Sequence, residues 1–213
     1  METITAKTPW APYVGELPLH LEYFEGSMFD KVAQIAEQYP DNIAFTFMGR
    51  STTYKEMIRE IERCAKALKT IGVRENDKVT IAMPNCPQAI YMFYAVNLVG
   101  AIGNMIHPLS AEKEIEFYLN ESESVTAITL DQFYHKFENI RENTGVVNII
   151  IASVKDALSK PLRAGYMLTE GRKIKPIPKD APVIRWREFM KLSEHCFYKY
   201  KVQRKSEDPA VIL

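Results

Sequence analysis

Between Lys78 and Ala152 the sequence alternates four short aliphatic runs with three stretches of helical period, and few folds accept that order. Lys78–Met83, Ala101–Ile106, Val125–Leu130 and Val147–Ala152 read as strands. Gln88–Val99, a segment capped by Ser110 and ending near Glu121, and Gln132–Asn143 read as helices, with Ile115, Tyr118 and Leu119 facing inward in the second. Strands joined by helices of such length need right-handed crossovers and therefore a mainly parallel sheet. The expected architecture is α/β: a three-layer αβα arrangement with helices on both faces of the sheet.

The preceding residues extend this pattern. Met28–Tyr39 places Phe29, Val32, Ala33, Ala36 and Tyr39 on one helical face, and Pro40 ends the run. Ile43–Phe47 and Ser51–Tyr54 flank Met48-Gly49-Arg50, which predicts a hairpin with Gly49 at positive φ. Thr53 and Glu56 form a capping box ahead of a face made by Tyr54, Met57, Ile58, Ile61, Ala65, Leu68 and Ile71, and Gly72 stops that helix. Residues 1–26, rich in Pro and aromatics without period, read as an irregular arm lying on the body. Residues 27–213 form the α/β unit, with a basic insertion at about 153–184.

Composition narrows the function classes. A chain of 213 residues with 46% hydrophobic residues can bury a sizeable core. Its 27 basic and 27 acidic residues balance, so there is no excess of the kind nucleic-acid binding uses. The charge is uneven, however: Lys155–Lys205 holds 14 basic and 5 acidic residues. A solvated face explains such a run, and an anionic ligand or membrane surface is the alternative. Cys64, Cys86 and Cys196 stand far apart without metal-ligand spacing, and the N-terminus lacks a secretory pattern, so a reduced cytoplasmic protein is expected. Ala89–Ile106, the longest apolar passage, is interrupted by Asn97, Gly100, Gly103 and Asn104, too often for a membrane span.

The segment Ser206–Leu213 opens on an acidic-Pro pair and continues as Ala-Val-Ile-Leu, which reads as a buried parallel strand, central in the intact enzyme. Strands of this kind lead into ligand-binding loops in α/β proteins, so the chain reads as a piece of a larger enzyme.

Taken in order, several segments resemble the start of the adenylate-forming (AMP-binding) enzymes. They are Thr53-Tyr54-Lys55-Glu56-Met57, Met83-Pro84-Asn85-Cys86-Pro87-Gln88 leading to Val99-Gly100-Ala101, Ile106–Ile115, and Leu119-Asn120-Glu121-Ser122. The resemblance covers about Phe29–Leu213 and implies the N-terminal subdomain of the acetyl-CoA-synthetase-like fold. It further implies an acyl-CoA synthetase parent, of long-chain fatty-acid type, that uses ATP, Mg²⁺ and CoA. In that family Ser206–Leu213 would enter a Ser/Thr/Gly-rich loop ending in Lys, and the catalytic, cofactor-binding and metal residues would lie beyond Leu213. The isolated piece is therefore expected to be inactive, with no catalytic, cofactor-binding or metal residue assigned within it. Leu158–Arg172 resembles the insertions of long-chain ligases and suggests peripheral membrane contact through Leu162, Tyr166, Met167 and Leu168, with Lys160, Arg163, Arg172 and Lys173 beside them. A loop packed on its own body is the plainer reading.

Each residue that invites a chemical role also has a structural one. Glu56 is a cap, and Gly100 ends a helix and lacks the companion glycines of a phosphate loop. Pro84 and Asn85 form a strand-to-helix turn, His107 lies in a turn without partners, and Cys86 is a small packing residue. The aromatic residues Tyr91, Phe93 and Tyr94 fall at core spacing more readily than along a fatty tunnel. Two rival readings remain: a peptide-synthetase-like adenylation module, and a non-catalytic α/β module that binds a partner or membrane through its basic region. A small Rossmann-type binder is excluded, because Asn85-Cys86-Pro87-Gln88 is not Gly-rich.

Overall fold

The computed structural model describes residues 9–18 and 22–213. Residues 1–8 and 19–21 of the expected arm lie outside it; the part described has one 3₁₀ turn, Ala11–Tyr13, and leaves Trp10, Tyr13 and Leu17 exposed.

Helix α1 (Met28–Gln38) and the hairpin β1 (Ile43–Phe47) and β2 (Arg50–Thr53) precede α2 (Tyr54–Thr70). The hairpin turn takes positive φ at both Met48 (49°) and Gly49 (75°), so a methionine shares a conformation that the sequence assigned to glycine alone. Thr53 Oγ1 accepts from Glu56 N (3.3 Å), and Glu56 Oε2 accepts from Thr53 N (3.0 Å), closing the capping box. At the other end Val73 N donates to Leu68 O and Gly72 N to Lys69 O, a Schellman motif with Gly72 at φ 93°.

The main sheet is built from β3 (Lys78–Ala82), β4 (Ile102–Met105), β5 (Ser124–Leu130), β6 (Asn148–Ala152), β7 (Ile184–Arg185) and β8 (Val211–Ile212). Its order is β7-β6-β5-β3-β4-β8, and every pairing is parallel. Helix α3 (Pro87–Leu98) crosses from β3 to β4, α4 (Glu112–Glu121) from β4 to β5, and α5 (Tyr134–Ile140) from β5 to β6. The chain then runs through α6 (Lys160–Leu168) to β7 and α7 (Trp186–Leu192).

The alternation of strand residues sorts two cores. Val79, Ile81, Ile128, Leu130, Ile150 and Ala152 pack toward α1, α2, α3 and α7. Ala82, Ala127, Ile149 and Ile151 face Ile115 and Leu119 of α4 and Tyr134, Phe137 and Ile140 of α5. Helices thus cover both faces of a parallel sheet, the α/β three-layer architecture expected. Helix α3 is apolar nearly all round because α1 and α2 cover the side away from the sheet; buried Asn97 accepts from Phe29 N (3.0 Å) and ties α1 to it.

Four local expectations need correction. The cap of α4 is Ala111 rather than Ser110: Glu114 Oε2 accepts from Ala111 N, while Ser110 N donates to His107 O within a turn. The helix expected over Gln132–Asn143 is α-helical only at Tyr134–Ile140, with 3₁₀ turns at Asp131–Phe133 and Arg141–Asn143. Strand β7 was not anticipated. Asp208–Leu213 joins the sheet as a parallel strand over only two residues, Val211–Ile212, which pair with Gly103 and Asn104 of β4. The cause is the turn before it. Asp208 N donates to Lys205 O and Asp208 Oδ2 accepts from Lys205 N, which withholds those residues from the ladder.

Candidate functional site

In open α/β sheets, ligands collect outside the carboxyl ends of strands where adjacent connections leave for opposite faces. Here β3 sends its chain to α3 on one face, whereas its neighbours β4 and β5 send theirs to α4 and α5 on the other. The carboxyl edge around Met83–Gln88 is therefore the position to search.

An apolar pocket of about 420 Å³ opens there, walled by Ala44, Phe45, Tyr54, Ile90, Phe93 and Met105, with the exposed Asn85 at its rim. Phe93 and Tyr94, expected as core residues, stand half-buried in this wall and meet edge to face at 5.3 Å between centroids. The β1–β2 hairpin supplies Phe45, which lies 6.1 Å from Tyr91. A second, polar pocket of about 180 Å³ adjoins it, between Arg50, Glu56, Arg59, Gln88, Asp156 and Trp186. Gln88 is 2% exposed; its Nε2 donates to Ser153 O (2.9 Å), and its Oε1 has no protein partner. Burial raises the Asp156 carboxyl pKa, an effect opposed by Arg187 and Lys155.

The residues weighed individually from the sequence take structural places. Glu56 caps α2, and Gly100 ends α3 at φ 78°, where an added Cβ would lie 2.8 Å from Val202 Cγ1. His107 is exposed, and its Nδ1 accepts from Leu109 N (3.2 Å). Cys86 is 3% exposed, and burial raises its thiol pKa. Among the described residues no group of three His, Cys, Asp or Glu side chains could hold a metal ion, and the β3–α3 turn contains no glycine for a phosphate. No helix among them is long and apolar enough to cross a membrane. Gln88, Asp156 and Trp186 escaped sequence reading because they come from three distant segments; the one available signal was an amide placed at a strand-to-helix turn.

The fold and its ligand-collecting edge define an open α/β protein of the ligand-binding class. A long-chain-fatty-acid–CoA ligase structure from Archaeoglobus fulgidus superimposes with a TM-score of 0.66 over 90% of this chain and 34% of its own, at 20% identity. Residues 32–213 match the family described as AMP-binding enzyme, and the chain belongs to it. Among curated relatives, a long-chain-fatty-acid–CoA ligase of Bacillus subtilis (strain 168) is 30% identical over 170 residues, 79% of this chain and 30% of its own length. One of the same name from Haemophilus influenzae is 25% identical over 174 residues, 80% of this chain and 30% of its own. The chain thus spans about 30% of the length of these relatives.

Proposed function

We propose that this chain is the α/β wall of an ATP-dependent fatty-acid–CoA ligase. The whole enzyme would join a fatty acid to AMP, releasing pyrophosphate, and then pass the acyl group to the CoA thiol. The observation that carries this is the match to AMP-binding enzymes across 32–213, together with relatives that bear the long-chain ligase name. In the proposed reaction the carboxylate oxygen attacks the α-phosphorus as the bond to pyrophosphate breaks. Among the described residues no group of three His, Cys, Asp or Glu side chains fits Mg²⁺, so no step is assigned to them. Their part is to exclude water and shape a wall: the apolar pocket lined by Phe45, Ile90, Phe93 and Met105 suits an alkyl chain.

The proposal extends to organisation and location. Residues 27–213 act as one subdomain, 1–26 as its arm, and 153–184 as a basic insertion. Within the insertion, α6 buries no residue, and Leu162, Met167 and Leu168 are 46%, 44% and 67% exposed. That face supports peripheral contact with a membrane from which a fatty acid would be drawn, in a protein working in the cytoplasm.

Pyrophosphate exchange on the full-length enzyme, with fatty acids of graded chain length, tests the reading. Exchange that depends on an added fatty acid is expected, and the 213-residue chain alone should show none. Exchange supported equally by amino acids would favour the adenylation-module alternative.

A further inference from the structure

A third pocket, of about 280 Å³, lies beneath α6 at the carboxyl ends of β6 and β7. Lys155, Arg163, Arg185 and Arg187 line it, together with Asp131, Asp156 and Glu188. Each of the three carboxylates accepts a backbone hydrogen bond, and Asp156 also pairs with Arg187. Asp131 Oδ1 accepts from Gln132 N (3.0 Å), and Glu188 Oε2 from Arg185 N (3.3 Å). Asp156 Oδ2 accepts from Ser153 N (3.2 Å), and its Oδ1 lies 3.6 Å from Arg187 Nε. Lys155 and Arg163, by contrast, have no carboxylate within 4.0 Å among the described residues.

A second observation is independent of charge. Ser153, at the end of β6, also lines this pocket; it is 4% exposed, and its Oγ has no hydrogen-bond partner. A buried hydroxyl without a partner costs free energy, and native structures rarely keep one unless something else completes it. A hydroxyl donor beside two cations that make no direct ion pair is the donor set that a tetrahedral oxyanion accepts from, because its several oxygens can take charged and neutral donors together.

We propose that this pocket binds a phosphoryl group, with Ser153 Oγ donating to one oxygen and Lys155 and Arg163 neutralising the charge. The volume leaves room for an ester substituent on the phosphate. That substituent belongs either to a soluble phosphoester or to a lipid headgroup, the latter presented under the exposed apolar residues of α6. The site shares Asp156 and Trp186 with the polar pocket at the sheet edge, and no pocket residue is assigned a part in acyl activation.

The test titrates inorganic phosphate into the 213-residue chain against chloride of equal ionic strength, following ¹⁵N amide spectra and melting temperature. Saturable shifts at Ser153, Lys155 and Arg163 are expected, with a melting temperature that rises with phosphate. Ser153→Ala and Arg163→Ala should each weaken phosphate about tenfold, the loss of one charge-assisted contact. Melting of Ser153→Ala in chloride should not fall, because the hydroxyl has no protein partner to lose. A response that chloride reproduces, or that survives Ser153→Ala unchanged, overturns the proposal. Phosphatidylcholine vesicles doped with phosphatidic acid then separate the sources. Capture that free phosphate displaces assigns the site to a headgroup, and phosphate binding without capture assigns it to a soluble ester. Capture without any phosphate response overturns the pocket and leaves only the apolar face of α6.

Discussion

Helices α2 and α6 are both amphipathic in sequence, yet the fold uses them in opposite ways. Helix α2 buries Met57, Ile61, Cys64, Ala65, Ala67 and Leu68 against α3, α1 and α7, whereas α6 buries nothing. Full burial of a residue such as Leu68 is worth about 1.5–3 kcal/mol relative to exposure, so α2 is secured by tertiary packing and α6 is not. Cap chemistry follows the same division: Thr53 bonds the first turn of α2, while Ser159 at the start of α6 makes no such bond. Amphipathic spacing therefore announces that a helix has an apolar face, not that its own chain covers it.

The largest effect separating the two should come from their leucines. Leu68→Ala should lower unfolding free energy by about 2–5 kcal/mol in denaturant titrations, against less than about 0.5 kcal/mol for Leu168→Ala. Equal losses would mean that α6 is packed as tightly as α2. The caps give a smaller contrast: Thr53→Ala should cost about 1 kcal/mol and Ser159→Ala almost nothing, read from the same curves. Smallest is a pH effect at the foot of α6. Burial raises the folded-state pKa of Asp156, so its ionised form opposes folding above that pKa. As pH falls through the raised value toward the ordinary one, the penalty should fade, and stability relative to Asp156→Asn should rise. A difference between the two proteins that stays flat with pH would remove Asp156 from the account.

What the sequence disclosed, and what it withheld, follows from the range of the forces involved. The Thr53–Glu56 box, Gly72 and Gly100 were readable because each depends on residues within a few positions. The β3–β6 strands were readable because a sheet covered on both faces demands continuous aliphatic runs. Strand β7 was not, since two residues carry no period, and its place depends on Ile150 and Ile151 of a strand more than thirty positions earlier. The pairing of Val211–Ile212 with β4 was equally hidden, because aliphatic character reports burial potential without naming a neighbour. The pockets lay furthest from view: Phe45, Ile90 and Met105 meet only after the hairpin, α3 and β4 have come together across two sheets.

The Schellman turn at Gly100 also fixes where a neighbouring strand begins. Gly100 O accepts from Asn76 N, Ile102 N donates to Asp77 O, and Lys78 then stands opposite Ile102. Three residue steps of strand, roughly 10 Å, separate Ile102 at that junction from Met105, which enters the apolar pocket. A side chain added at Gly100 would press on Val202 and could slide one strand past the other. The pocket would then lose its shape from the opposite end of β4, through a lesion that touches none of its walls.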